Sequence, residues 1–116
     1  MTILILDLPW PPSINHYWRH AKGRHYISME GELYRELVYY ECIKYRKTFT
    51  EIERISILID AYPPDRRKRD LDNILKSLLD SLQYAEVFKD DSQVDVLTIA
   101  RKTPLKGRVL ITLETL

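Results

Sequence analysis

Hydrophobic side chains alternate with polar ones in four short segments of the chain, and a period of two is typical of β-strands. Residues 2–8 are rich in β-branched side chains and precede a cluster of prolines, so they predict a first strand. Residues 55–61 carry isoleucine at alternate positions and stop before two prolines, which cannot donate to a strand ladder. Residues 94–98 and 109–113 resume the alternation and predict two further strands.

Two longer segments repeat apolar residues every three or four positions, which is the period of an amphipathic helix. The first covers residues 28–47, and Ser28 is a suitable N-cap. Its predicted buried face consists of Leu33, Leu37, Tyr40 and Ile43 or Lys44. The second covers residues 71–84, where six apolar residues share one side and Asp70 is placed to cap the helix.

These elements follow the order β-α-β-α-β-β and predict an α/β (α+β) fold, with two helices packed on a mixed four-stranded sheet. The chain has 116 residues, a length that suits a single domain over residues 1–116. Hydrophobic residues make up 45% and charged residues 30%, which is ordinary for a globular protein. Disordered and fibrous classes are therefore excluded.

Neither a membrane segment nor a disulfide bond is expected. The apolar runs are far shorter than the ~20 residues that a bilayer crossing requires. The amino-terminal segment contains Asp7 and no basic leader. Cys42 is the only cysteine and cannot form an intrachain disulfide. We therefore expect a cytoplasmic protein that has no membrane partner.

The net charge of +1 does not by itself indicate a polyanionic partner, but the basic residues are clustered. The clusters lie in residues 16–25, 66–69 and 101–108. In the first cluster we expect Arg19, Lys22 and Arg24 to contact phosphates, beside aromatic residues that either stack on bases or pack the loop. Three such clusters favour a polyanion larger than a nucleotide.

The segment PPDRRKRDLDNILK, residues 63–76, places a basic run beside two closely spaced acids, Asp70 and Asp72. Its basic run consists of Arg66, Arg67, Lys68 and Arg69. Two neighbouring carboxylates repel each other unless positive charge neutralises them. A structural explanation is that acids in a first helical turn are stabilised by ~0.3–1 kcal/mol through the helix dipole. The functional explanation is a cation site with phosphates held by the basic run.

Lys76 and a second acidic pair, Asp90 and Asp91, favour the cation site. Lys76 lies one turn beyond Asp72, where the structural alternative is an exposed ion pair worth only ~0.3–0.5 kcal/mol. We expect the second pair to meet Asp70 and Asp72 at one end of the sheet. Carboxylate oxygens suit Mg²⁺, and no histidine or cysteine pair has zinc spacing. The chemistry that this set predicts is phosphodiester hydrolysis.

Three motifs, LPWPPSINHYWR, PPDRRKRDLDNILK and DDSQVD, occur in an order and spacing that resembles the RusA family of Holliday-junction resolvases. The resemblance implies a homodimer that binds four-way junction DNA and nicks two strands symmetrically with Mg²⁺, for which Mn²⁺ can substitute. By matching position it implies Asp70, Asp72 and Asp91 as catalytic metal-site acids and Lys76 as the essential basic residue. Either predicted helix could form the dimer interface, and the role of Asp90 stays open.

Two other functions fit parts of the sequence. A non-catalytic DNA-binding module would use the basic clusters alone and would bind DNA in a salt-sensitive way without metal-dependent cleavage. A phosphohydrolase of small phosphate esters would use the acids but would need no extended basic surface. Cleavage of a four-way junction, compared with linear duplex in the presence and absence of Mg²⁺, separates all three.

Overall fold

A computed structural model describes residues 1–21 and 24–116, and within these residues it contains six strands and three α-helices. The elements are β1 (Ile3–Pro9), α1 (Ile14–Tyr17), β2 (Trp18–Ala21), β3 (Arg24–Ile27), α2 (Met29–Cys42), β4 (Ile55–Tyr62), α3 (Asp72–Tyr84), β5 (Val94–Arg101) and β6 (Arg108–Thr115). All six predicted elements are present. The additions are α1 and the β2–β3 hairpin, which lie where the sequence predicted only a loop.

The main sheet is mixed and four-stranded, as predicted, with the strand order β1-β6-β4-β5. Strand β6 runs antiparallel to both β1 and β4, whereas β4 and β5 are parallel. A parallel pair requires a crossover connection, and α3 provides it between β4 and β5. Among the described strands, β5 pairs on one side only, with β4, and forms an edge of the sheet.

The hydrophobic core lies on the face of the sheet that α2 and α3 cover. Alternate residues of β1, β4 and β6 enter it, which is the period-two pattern that predicted these strands. Buried core side chains include Leu6, Leu8, Ile57, Ile59, Ile111 and Leu113 from the sheet and Val38, Ile74, Leu78 and Leu82 from the helices. The predicted α+β class is therefore confirmed.

The buried face of α2 differs from the predicted one. Ser28 caps the helix as expected, because its hydroxyl accepts a hydrogen bond from the Gly31 amide at 3.0 Å. However, Leu33 and Tyr40 are 65% and 70% exposed. The residues that α2 buries are Gly31, Tyr34, Val38 and Cys42. Gly31 explains why α2 buries this face. A Cβ at this position would lie 2.7 Å from the Tyr17 carbonyl oxygen, so only the face that carries glycine can approach the Tyr17 backbone so closely.

Two further features of the fold bear on the expectations above. Helix α2 ends at Cys42, and a 3-10 turn over Ile43–Tyr45 replaces the last part of the predicted helix. Cys42 is buried with a free thiol. None of the described helices is long and apolar enough to span a membrane.

Candidate active site and nucleic-acid interface

Asp70 and Asp72 lie where the connection after β4 enters α3. The predicted capping role of Asp70 is wrong: α3 begins at Asp72, the preceding residue is Leu71, and no side chain caps the helix by a hydrogen bond. Both aspartates are exposed. Within the described part of the chain, neither carboxylate has a hydrogen-bond or ion-pair partner. Capping therefore does not account for Asp70, and the two carboxylates remain available to a ligand.

Lys76 is also exposed and lies one helical turn beyond Asp72. The ion pair with Asp72 that would explain Lys76 structurally is not formed. Among the described residues, Lys76 has no ion-pair partner. An ammonium group one helical turn from an unpaired carboxylate, and bonded to neither Asp70 nor Asp72, suits a site that receives a phosphate. Such a group can stabilise negative charge that develops during hydrolysis.

Asp91 lies at the opposite end of α3 from this pair, contrary to the expectation that all the acids converge. The Asp91 amide donates to the Gln83 side-chain oxygen at 3.0 Å, which places Asp91 beside the carboxyl end of α3. The eleven residue steps from Asp72 to Gln83 span ~16 Å of helix. The cause is topological: β4 and β5 are parallel, so α3 must return from the end of one strand to the start of the other.

Consequently, the described residues contain no group of three histidine, cysteine or acidic side chains that could hold a metal ion. The donor chemistry of Asp70 and Asp72 nevertheless fits Mg²⁺, which binds oxygen ligands and is often held by only one or two carboxylates together with water and substrate phosphate. A single chain thus offers part of the predicted ligand set at each end of α3.

Asp90 has a structural role that the sequence left open. It is the N-cap of a 3-10 turn over Asp91–Gln93, and its side chain and that of Gln93 form a reciprocal capping box. Its carboxylate also accepts a hydrogen bond from the Ser92 hydroxyl at 2.6 Å. This bond, followed by backbone hydrogen bonds, holds the pKa of Asp90 below its ordinary value. Asp90 therefore shapes the turn that carries Asp91.

The basic run before α3 divides into two kinds of side chain. Arg66, Arg67 and Lys68 are exposed. Arg69 is partly buried, pairs with Asp65 at 2.6 Å and lies 6.0 Å from the centre of the Trp10 ring. The Arg69 hydrogen bond is the main reason that the pKa of Asp65 falls to about 2. Arg69 thus organises the turn, and its three neighbours present charge to solvent.

The end of β5 adds to this basic surface. The Arg101 guanidinium donates a hydrogen bond to the Arg69 carbonyl oxygen. Lys102 lies 3.7 Å from Asp60 of β4. The connection that follows is tied down by the Leu105 amide, which donates to the Pro63 carbonyl at 2.9 Å. The second and third basic clusters of the sequence therefore meet at the end of α3 that carries Asp70 and Asp72.

The first basic cluster is described only in part. The β2–β3 hairpin pairs Trp18 with Ile27, and the short helix before it is anchored by the hydrogen bond from the buried Tyr17 hydroxyl to Asp80 of α3. Lys22 lies outside the described residues, as do the side chains of Arg19 and Arg24. Their predicted phosphate contacts stay predictions.

Comparison with known proteins decides the family. The family model for endodeoxyribonuclease RusA matches residues 9–114. The chain belongs to the RusA family. This confirms the resemblance drawn from the motifs and identifies the chain as an endodeoxyribonuclease. The match includes both the Asp70–Lys76 segment and the turn that carries Asp91.

Curated relatives within the RusA family are similar over most of their length. The crossover junction endodeoxyribonuclease rusA of Enterobacteria phage HK97 is 42% identical over 100 residues, which are 86% of this chain and 83% of the relative. The RusA proteins of Shigella sonnei and Escherichia coli K12 are 38% and 37% identical over 107 residues, which are 92% of this chain and 89% of each relative.

Two residues that hold the turn carrying Asp91 were not recognised from the sequence. Gln83 holds the Asp91 amide, and Gln93 is a buried polar residue with 3% of its surface exposed. Gln93 occurs in the DDSQVD motif, but a lone glutamine gives no local signal of burial, because glutamine is usually exposed. Only the packing of its turn against the rest of the chain distinguishes it.

Proposed function

We propose that this chain is a Mg²⁺-dependent, structure-selective endonuclease that resolves Holliday junctions by paired symmetric nicks, and that Mn²⁺ can replace Mg²⁺. The observation that carries this proposal is the pair of unpartnered carboxylates, Asp70 and Asp72, beside Lys76 and an exposed basic surface. The relatives that cover most of the chain are named crossover junction endodeoxyribonucleases, which supports four-way junction DNA as the substrate. We place the activity in the cytoplasm during recombination and repair.

Each part of the site has a distinct task in this proposal. Mg²⁺, when bound, would supply Lewis-acid chemistry for the hydrolysis of a phosphodiester. Asp70, Asp72 and Asp91 hold it through their carboxylate oxygens. Lys76 donates to the phosphate oxygens and stabilises the charge that develops on them. Exposed Arg66, Arg67 and Lys68, with Arg69, Arg19, Lys22 and Arg24, contact the DNA backbone, so they contribute affinity without base specificity.

A homodimer resolves the separation of the acids within one chain. In a twofold dimer, the end of α3 that carries Asp91 in one copy can lie beside the end that carries Asp70 and Asp72 in the other. Each metal site then takes ligands from both copies. Twofold symmetry also supplies two equivalent sites, which paired nicking of a junction with approximate twofold symmetry requires.

The edge strand β5 is the surface that fits such a dimer. Antiparallel pairing of β5 with its copy would place the start of each β5, near Asp91, beside the end of the other, where Arg101 contacts the segment before Asp70. Strand β5 contains no proline and leaves Leu97 40% exposed. An unprotected edge of this kind readily pairs with another strand. Pairing along the opposite edge, β1, would leave the acids apart.

Charge and apolar surface support the same interface. A register centred on Thr98 would set Asp95 of one copy, which pairs with Arg54 of its own chain at 2.6 Å, opposite Arg101 of the other, so opposite charges would face each other at both ends. The flank of α3 that faces away from α1 and α2 carries a row of half-buried leucines. This row consists of Leu71, Leu75 and Leu79. A second copy would cover it while pairing along β5.

Mixed dimers test the activity and the shared site together. Asp70→Asn and Asp91→Asn chains, carrying different affinity tags, are co-expressed and the mixed dimer is purified through both tags. If each metal site is shared between the copies, one of the two sites in the mixed dimer contains only wild-type acids. The mixed dimer then nicks one strand of a synthetic junction in Mg²⁺. Both parent homodimers are inactive but still bind the junction. A dimer of Asp70→Asn with Asp72→Asn chains is the matched control and stays inactive.

The outcomes separate the two parts of the proposal. A wild-type chain that binds the junction but never nicks it in Mg²⁺ or Mn²⁺ overturns the nuclease assignment and favours a DNA-binding module. An active wild type with an inactive Asp70→Asn/Asp91→Asn dimer overturns the shared site alone. Cleavage of linear duplex at the same rate would contradict selectivity for junctions.

A further inference from the structure

The turn that carries Asp91 is held by the side chains of two glutamines. Its three successive backbone amides, at residues 89, 90 and 91, all donate to glutamine side-chain oxygens. The Lys89 and Asp90 amides both donate to Gln93 Oε1 at 3.0 Å. The Asp91 amide donates to Gln83 Oε1, also at 3.0 Å. The path of the backbone up to Asp91 is therefore determined by these two side chains.

Gln93 uses the full hydrogen-bonding capacity of its amide. Besides accepting two hydrogen bonds, its Nε2 donates to the carbonyl oxygens of Thr50 at 2.8 Å and Glu53 at 2.9 Å. An amide has two donor hydrogens and two acceptor lone pairs, so no capacity remains. Because Gln93 is buried, these bonds tie the Asp91 turn to the turn before β4 without competition from water.

Gln83 couples the same turn to the helix that carries the other acids. It lies near the carboxyl end of α3, while Asp72 opens that helix and Lys76 follows one turn later. Gln83 is only partly buried, and the one hydrogen bond that its side chain makes among the described residues comes from the Asp91 amide. An ordinary surface glutamine has no need for such a partner. In the proposed dimer, each end of α3 thus serves a different one of the two shared sites: one end supplies Asp70 and Asp72, and the other holds the turn that carries Asp91.

We infer that Gln83 and Gln93 are positioning residues that hold Asp91 in place for metal binding and phosphodiester cleavage. This inference rests on the proposed nuclease function. Neither glutamine touches the substrate; each acts through the backbone of the turn over residues 89–91. Flexibility in this turn would leave Asp91 near the site but with its carboxylate spread over several positions. Groups that orient a ligand in this way typically change metal affinity or activity by ~10–100-fold when they are removed.

Gln83 gives the cleaner test because its side chain is partly exposed and lies on a helix. Gln83→Leu removes the acceptor but keeps a residue of similar helix propensity, so the fold is retained. Gln83→Glu keeps an oxygen at the same position and is the matched control. We expect Gln83→Leu to lower kcat on the junction by ~10-fold or more and to raise the Mg²⁺ midpoint, with KM unchanged. Gln83→Glu is expected to keep kcat and the Mg²⁺ midpoint close to the wild-type values.

Amide hydrogen exchange gives a readout that does not depend on activity. Without DNA or metal, the Asp91 amide of Gln83→Leu is expected to exchange ~10-fold faster than in the wild type, because it has lost its acceptor. Gln93→Met provides a second variant that frees the Lys89 and Asp90 amides together. Its thermal midpoint is measured alongside, and exchange is compared at temperatures well below that midpoint.

Three results would count against the inference. One is wild-type kcat and Mg²⁺ midpoint in Gln83→Leu despite faster exchange at Asp91. Another is reduced kcat with unchanged exchange at Asp91, which would mean that Gln83 acts by another route. The third is a wild-type chain without metal-dependent nicking, which overturns the proposed function and this inference with it. In the first two cases the wild-type enzyme still cleaves, so the failures are distinguishable.

Discussion

Replacing Gly31 by alanine should destabilise this protein, although the same change in most helices is stabilising. Gly31 lies in the first turn of α2 and is buried. A Cβ added there would lie 2.7 Å from the Tyr17 carbonyl oxygen and 2.7 Å from Cγ1 of Ile27. The isoleucine side chain can move, but the carbonyl belongs to the backbone that leads into the β2–β3 hairpin. Real Cβ atoms essentially never approach this closely.

Two opposing free energies set the magnitude. Alanine is favoured over glycine by ~1 kcal/mol in a helix interior. Forcing an extra carbon into a packed site costs typically ~1–3 kcal/mol, and a rigid backbone neighbour belongs at the upper end. The net loss in the free energy of unfolding is therefore about 2 kcal/mol, the upper-end packing cost less the propensity gain. Because the clash pushes α2 away from Tyr17, the hairpin that carries Arg24 should shift as well.

Urea denaturation followed by circular dichroism measures this loss. With a urea m-value of ~2 kcal/mol/M, the midpoint should fall by about 1 M. Glu32→Ala is the matched control, since Glu32 is exposed in the same helical turn and its change should stay within ~0.5 kcal/mol. An unchanged or higher midpoint for Gly31→Ala would show that Tyr17 does not confine α2, and would refute the explanation of why α2 buries this face.

Two further predictions concern the buried thiol and the dimer interface. Burial raises the pKa of Cys42 to about 11 from an ordinary value of 9.0, so the folded state favours the protonated thiol. The contribution of this thiol to the free energy of unfolding is present below pH 9 and is lost as the pH rises towards 11. A thiol reagent at pH 8 should therefore react with Cys42 only after unfolding in urea, and rapid reaction in the native state would contradict its burial. Leu97→Lys should dissociate the proposed dimer in sedimentation experiments. Leu33→Lys, on the exposed side of α2, is the control and should leave the dimer intact. Dissociation by Leu33→Lys but not by Leu97→Lys would assign the interface to α2.

Local sequence determined the elements and the chemistry of the site. Period-two alternation identified all four strands of the main sheet, and Ser28 marked the start of α2. The apolar positions from residue 71 onwards identified α3. The order of motifs identified the family, because residues 63–76 combine a basic run, two aspartates and Lys76 in one short segment. These features depend on side-chain type and spacing along the chain, so they can be read without knowing what lies across the fold.

Tertiary structure alone decided which helix face is buried and which acids lie together. Helix α2 has apolar residues on two sides, and contact between Gly31 and Tyr17 selects the side that the sequence did not favour. Because β4 and β5 are parallel, Asp91 lies at the opposite end of α3 from Asp72. The sequence had predicted that the acids of residues 63–76 and of the DDSQVD motif form one site. Periodicity is a local property, whereas burial and proximity depend on which distant segment packs against the element. Because Asp91 and Asp72 lie apart in one chain, the proposed metal site requires a second copy of the chain.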